Sequence, residues 1–84
     1  MKTIRFTQHA REQIVERGAT EEEVSLTILN GKRERAKKDR LICRANFQYN
    51  SFWNGRKYAI KQVAAVIVEK EDETTVVTVY TFFF

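Results

Sequence analysis

The sequence predicts an α+β domain in which two N-terminal helices pack on an antiparallel β-sheet. Helical spacing and helix-end residues are confined to residues 7–31, whereas β-branched and aromatic residues dominate from residue 41 onward. Two turn signals, Asn54-Gly55 and Glu71-Asp72-Glu73, divide that second stretch into hairpins. With 84 residues there is room for one modest core, so residues 1–84 read as a single domain.

Ile4 and Phe6 alternate with polar or charged neighbours and predict a short leading strand. Thr7 is a suitable N-cap for the first helix, where Ala10, Ile14 and Gly18 follow helical spacing with Val15 alongside, and Gly18 supplies the stop after about three turns. Thr20 and Glu23 form a capping box for the second helix, and Glu21, Glu22 and Glu23 put negative charge at the positive end of its dipole. Val24, Ile28 and Leu29 give that helix an apolar stripe that ends at Asn30-Gly31. The Gly18-Ala19 link is so short that the two helices must form a tight hairpin. Residues 41–53, 56–69 and 74–84 then read as strands of a meander. A two-residue turn at Asn54-Gly55 places Trp53 opposite Arg56, Ser51 opposite Tyr58 and Tyr49 opposite Ile60.

The net charge of +4 is unevenly spread. Residues 32–40 carry six basic groups (Lys32, Arg33, Arg35, Lys37, Lys38 and Arg40) against two acidic ones, while the flanking stretches nearly cancel. Such a segment is either a solvated strand or loop, or an electrostatic footprint for a phosphate backbone. Cys43 sits among apolar residues, which favours a small core side chain over a reactive thiol, and a single cysteine fits a reducing, cytoplasmic compartment. Lys2, Arg5 and His9 interrupt the N-terminus before any apolar run develops, so no signal peptide is expected. The apolar runs near the C-terminus fall short of the roughly 18 residues a membrane span requires, and no membrane partner is expected. One histidine, one cysteine and scattered carboxylates make no metal set, so any chemistry is expected to be cofactor-free.

The residues that point to chemistry begin at Phe6-Thr7-Gln8-His9-Ala10-Arg11, followed by Arg17-Gly18. His9 is the only histidine and falls in the first turn of the first helix, where a neutral imidazole can take a proton as a general base. Glu12, Gln13 and Glu16 lie toward its side of the helix and can hold it in a structural role instead. Arg17 leans toward the sheet and needs a carboxylate, a carbonyl or a phosphate, while Arg11 points to the surface. In the last strand, Thr78 and Tyr80 share a face, as an orienting hydroxyl pair or as ordinary strand residues. Tyr49, Trp53, Arg56 and Tyr58 cluster on the middle hairpin, either to stack bases or to form core, a partner surface or a cross-strand cation–π pair.

The spacing Phe-Thr-x-His-Ala-x6-Arg-Gly, the Glu-rich second helix and Val-Val-Thr-Val-Tyr near the end resemble a small uncharacterised bacterial domain family grouped with RelE-type and BrnT-type toxin nucleases. Ala19, the aromatic residues 46–58 and the tail 81–84 depart from its pattern. The resemblance implies a RelE-like or barnase-like α+β fold and a metal-independent ribonuclease that cleaves through 2′-hydroxyl attack. On that expectation His9 is the acid/base group, Arg17 stabilises the phosphorane, and Thr78 or Tyr80 positions the substrate. The basic segment 32–40 with Arg44, Trp53 and Arg56 would hold the RNA, free or on the ribosome, and an antitoxin protein is the implied partner. The alternative is a non-catalytic module that binds nucleic acid or protein. Separately, the apolar C-terminal strand, with its three phenylalanines, invites self-association.

Overall fold

The computed structural model describes residues 2–84. In chain order the elements are β1 (Thr3–Phe6), α1 (Gln8–Glu16), α2 (Glu21–Asn30), β2 (Lys32–Arg35), β3 (Arg40–Trp53), β4 (Arg56–Glu69) and β5 (Glu73–Phe83). The strands form one sheet in the order β1-β5-β4-β3-β2. β3 through β5 are the expected antiparallel meander and β2 adds a further antiparallel strand beside β3, but β1 lies parallel to β5, with Thr3 opposite Glu73 and Phe6 opposite Val76. The sheet is therefore mixed rather than antiparallel throughout. Tight turns dictate direction in the meander, whereas the alternation of Ile4 and Phe6 marks a strand without saying which way it runs.

Both helix starts form as their sequences dictate. Thr7 Oγ1 accepts from the Ala10 amide at 3.0 Å, and Thr20 and Glu23 exchange bonds of 3.0 and 3.1 Å. Gly18 ends α1 with φ +72°, a left-handed conformation that favours glycine. The helices cover one face of the sheet. Ala10, Ile14, Val24 and Ile28 meet Cys43, Val63, Ala65, Ile67, Val76 and Val79 in a single buried cluster.

Lys61 is the exception in this apolar face. It lies in step with Val63, Ala65 and Ile67, yet only 5% of it is exposed. Its Nζ stands 2.8 Å from Glu23 Oε1 and donates to the Gly18 carbonyl at 2.8 Å, tying β4 to the link between the helices. The helices pack chiefly on the sheet, α1 on β5 and α2 on β3 and β4, rather than on each other as the expected tight hairpin would.

The β3–β4 hairpin turns at Asn54 (φ +51°) and Gly55 (φ +81°). Trp53 faces Arg56 and Ser51 faces Tyr58, as expected. Ile60, however, faces Gln48 and not Tyr49, because a register shift between Gln48 and Ser51 inserts an extra residue on β3. Asn50, with φ +45°, takes the bend there. A second shift, between Val66 and Ile67 on β4, leaves Val77 as the extra residue on β5. Beyond it, Val79 is buried beneath the helices, so Thr78, Tyr80 and Phe82 lie on the opposite face.

Candidate functional site at the β5 edge and the open sheet face

β1 accompanies β5 only as far as Val76, and α1 then takes over its edge. Thr7 donates through its amide to the Val76 carbonyl at 3.2 Å and through Oγ1 to the Val77 carbonyl at 3.4 Å. One helical turn apart, Gln13 and Arg17 bracket Val79. Gln13 Oε1 accepts from its amide at 2.9 Å, and Arg17 Nη1 donates to its carbonyl at 2.9 Å. Thr81 Oγ1 donates back to the Arg17 carbonyl at 2.7 Å. A helix thus does with side chains what a neighbouring strand would do with its backbone.

Arg17 reaches the sheet as expected and finds a carbonyl there. Its guanidinium carbon also lies 4.8 Å from the centroid of the Tyr80 ring, a cation–π distance. Beside this pair is an open depression of about 410 Å³. Glu16 and Arg17 from the end of α1, Trp53 and Asn54 from the hairpin, and Tyr80, Thr81 and Phe83 from β5 line it. His9 does not. It is exposed in the first turn of α1, eight residues from Arg17, or about 12 Å along a helix axis. Gln13 is committed to Val79, and Glu12 accepts from Gln8 Nε2 at 3.3 Å, so neither steadies His9. Thr78 shares the Tyr80 face and pairs with Val66.

The aromatic hairpin is organised around Phe83, a residue outside the expected cluster. Trp53 stacks on it at 5.1 Å between ring centroids, Tyr49 meets it edge-on at 5.2 Å and Tyr58 lies at 5.6 Å. Arg56 is exposed and makes no cation–π contact with these rings; Lys61 does, 5.2 Å from the Tyr49 centroid. Neither Phe83 nor Lys61 was legible as part of this cluster from local sequence. For Lys61 the available signal was a lysine standing at an inward position of an otherwise apolar strand.

On the uncovered face, strand register sets residues in rows. Lys32, Arg44, Ala64 and Tyr80 form one row, and Asn46, Gln62 and Phe82 the next. Tyr80 is 43% and Phe82 44% exposed. Gln62 Nε2 donates to Asn46 Oδ1 at 2.9 Å, and Arg44 donates to Glu34 at 2.9 Å and to Gln62 Oε1 at 3.4 Å. This face therefore carries exposed rings, a polar amide pair and a cation side by side.

The basic segment divides into two groups. Arg33 is structural: it donates to the Ile28 carbonyl at the end of α2 at 3.1 Å and pairs with Glu69 at 2.8 Å. The Arg33 hydrogen bond holds the Glu69 carboxyl below the usual range, while burial pushes the Cys43 thiol up. Cys43 is wholly buried in the core, as expected. Lys32, Arg35, Lys37, Lys38 and Arg40 are exposed, and among the described residues none is in an ion pair. Among the described residues no cluster of His, Cys, Asp and Glu could hold a metal ion, and no helix is long and apolar enough to cross a membrane.

The family model described as "Domain of unknown function (DUF4258)" matches residues 6–81. The chain belongs to that family. No curated protein and no solved structure matches the chain. The DUF4258 match runs from Phe6 through the aromatic hairpin to Thr81, taking in Arg17, the basic segment and Tyr80. Its description names no activity, and nothing in it links the family to RelE or BrnT toxins.

Proposed function

We propose that this DUF4258 domain binds single-stranded RNA across the open face of its sheet. The observation that carries the reading is the one-sided helix cover, which leaves Tyr80 and Phe82 exposed in register with Arg44, Lys32, Asn46 and Gln62. Rings at these positions can stack on bases, amides can reach base edges, and the unpaired lysines and arginines of residues 32–40 can hold phosphates. An RNA-binding protein with one unpaired cysteine fits the cytoplasm.

Binding of a fluorescein-labelled single-stranded RNA, followed by anisotropy over a salt series, tests this. Neutralising about five phosphates gives a slope near −3.5 in log K against log salt, or about 100-fold between 50 and 200 mM. Phe82→Ala and Tyr80→Ala should each weaken binding by about 1–3 kcal/mol. Salt-insensitive binding, or affinities unchanged in both variants, would overturn the proposal.

Cleavage is the second reading, favoured by the Arg17–Tyr80 contact beside the depression. Here the ribose 2′-hydroxyl attacks the adjacent phosphorus, the 5′-oxygen leaves, and a cyclic phosphate results. Arg17 would stabilise the phosphorane charge, Tyr80 or Thr78 would position the substrate, and His9 would move the proton if the RNA runs along α1. An antitoxin would then be the regulating partner. RNA incubated with EDTA should yield cyclic phosphate ends with wild type and not with Arg17→Ala; equal yields from both would refute it. His9→Ala separately tests the acid/base assignment.

A further inference from the structure

The two edges of the sheet are treated differently. The β2 edge is four residues long and reads Lys-Arg-Glu-Arg, the charged, short form that discourages strand pairing. The β5 edge is shielded by β1 to Val76 and by α1 side chains to Val79, and there the shielding stops. Ile60 and Phe84 exchange amide–carbonyl bonds of 2.8 and 3.0 Å, which sets the alternation along β4 and β5. Tyr80 and Phe82 therefore turn their backbone groups toward β4, and Thr81 and Phe83 turn theirs outward. Among the described residues no hydrogen bond reaches the outward amides or carbonyls of Thr81 and Phe83.

We propose that a second copy of this chain docks on this edge, β5 against β5 in antiparallel register about a two-fold axis at Phe82. The edge is self-complementary in that register. Thr81 of each copy faces Phe83 of the other and exchanges two bonds with it, so four bonds satisfy all eight outward groups. Phe82 meets its counterpart as the intervening non-hydrogen-bonded pair, where side chains come closest. Tyr80 falls beside Phe84 of the second copy, joining rings that are 43% and 59% exposed in the single chain. The depression of about 410 Å³ lies against this same edge and leaves room on the helix side for the incoming strand. Charge is compatible as well: the side chains of residues 80–84 carry none, and the basic segment lies at the far edge of the sheet. The contact is small, so the dimer is expected to be weak and in exchange with the monomer. This inference does not rest on RNA binding, although the docked strand draws on Tyr80 and Phe82 of the open face as well as on the strand edge.

Sedimentation of the full chain without RNA, from micromolar to millimolar, tests it. The mass should rise from 9.9 kDa toward twice that value with concentration. Thr81→Pro removes an outward amide that β4 does not use, a change edge strands tolerate, and Thr81→Val, which loses only the hydroxyl bond to the Arg17 carbonyl, is its control. It should raise the dimer dissociation constant at least about tenfold, because each copy loses a donor. Independently of any variant, exchange of the wild-type Thr81 and Phe83 amides with deuterium should slow as concentration rises, while the Tyr80 and Phe82 amides stay protected throughout. A wild type that remains monomeric at millimolar concentration, or a dimer whose Thr81 and Phe83 amides exchange at the monomer rate, would overturn the proposal.

Discussion

Gly18→Ala is expected to destabilise the domain through two separable costs. The first is conformational: Gly18 holds φ +72°, where an alanine is disfavoured by about 1–2 kcal/mol, partly offset by a stiffer unfolded chain worth about 0.4–1 kcal/mol. The second is steric. A Cβ at residue 18 would stand 2.5 Å from Trp53 Cζ3 and 2.8 Å from Trp53 Cη2. The indole is also stacked on Phe83, so moving it disturbs the aromatic cluster at a cost of about 1–3 kcal/mol. The sum is about 1–5 kcal/mol, centred near 3. Gly55→Ala isolates the first cost, because Gly55 has φ +81° and nothing within 4 Å of its added Cβ. Urea unfolding monitored by fluorescence of Trp53, the only tryptophan, reads both variants. Repeating Gly18→Ala in a Trp53→Leu background, where urea unfolding is followed by far-ultraviolet circular dichroism instead, should bring its cost down to that of Gly55→Ala. Equal losses for Gly18→Ala and Gly55→Ala in the wild-type background would refute the close packing of Trp53 on the helical turn.

Gln13→Leu should cost about 1–3 kcal/mol by leaving the buried Val79 amide without its acceptor, with faster hydrogen exchange at Val79 as the local readout. Lys61→Met should cost about 2–3 kcal/mol, since Glu23 and the Gly18 carbonyl lose their shared cation; a double-mutant cycle with Glu23→Gln should give a coupling energy above about 0.5 kcal/mol. Glu69 has its carboxyl depressed by Arg33, so its contribution is present above the unfolded-state range near pH 4.3 and is lost as pH falls through the lower folded value. The stability gap between wild type and Glu69→Gln should be below about 1 kcal/mol at pH 6 and close below pH 4, as followed by urea midpoints; a gap that widens on acidification would contradict the pairing.

The elements most legible in the sequence are those whose signals are local. The Thr20–Glu23 capping box, the Asn54-Gly55 turn and the opposition of Trp53 to Arg56 all depend on residues within a few positions of one another, and all three are present. The parallel pairing of β1 with β5 depends on residues at opposite ends of the chain, and no local pattern encodes it. The bulge at Asn50 was hidden for a different reason, since an asparagine in a strand pattern reads as an ordinary polar alternation until the register is seen. For the candidate site, the inward lean of Arg17 followed from helical geometry, but the face on which Tyr80 lies did not, because the Val77 bulge reverses the alternation inherited from Thr74 and Val76. The distance of His9 from Arg17 follows from eight positions on one helix, about 12 Å; what no local pattern encodes is that the depression lies at the Arg17 end.

The pairing of β1 with β5 has a kinetic side. Thr3 and Glu73 are seventy positions apart, so this contact closes almost the whole chain into a ring and bears a loop entropy of several kcal/mol, by the logarithmic dependence on length. β1 offers only four residues in return, half of them exposed. It is therefore expected to join the sheet after the meander has formed and to be among the first elements to open under native conditions. Opening β1 uncovers the rim of β5 from Glu73 to Val76, and if Thr7 follows, the carbonyls of Val76 and Val77 as well. A partial opening at the N-terminus would thereby add a second free stretch of β5 edge, separated from Thr81–Phe83 by Val79 and the α1 side chains that hold it, and heat or mild denaturant should promote association between chains well before the core of the domain gives way.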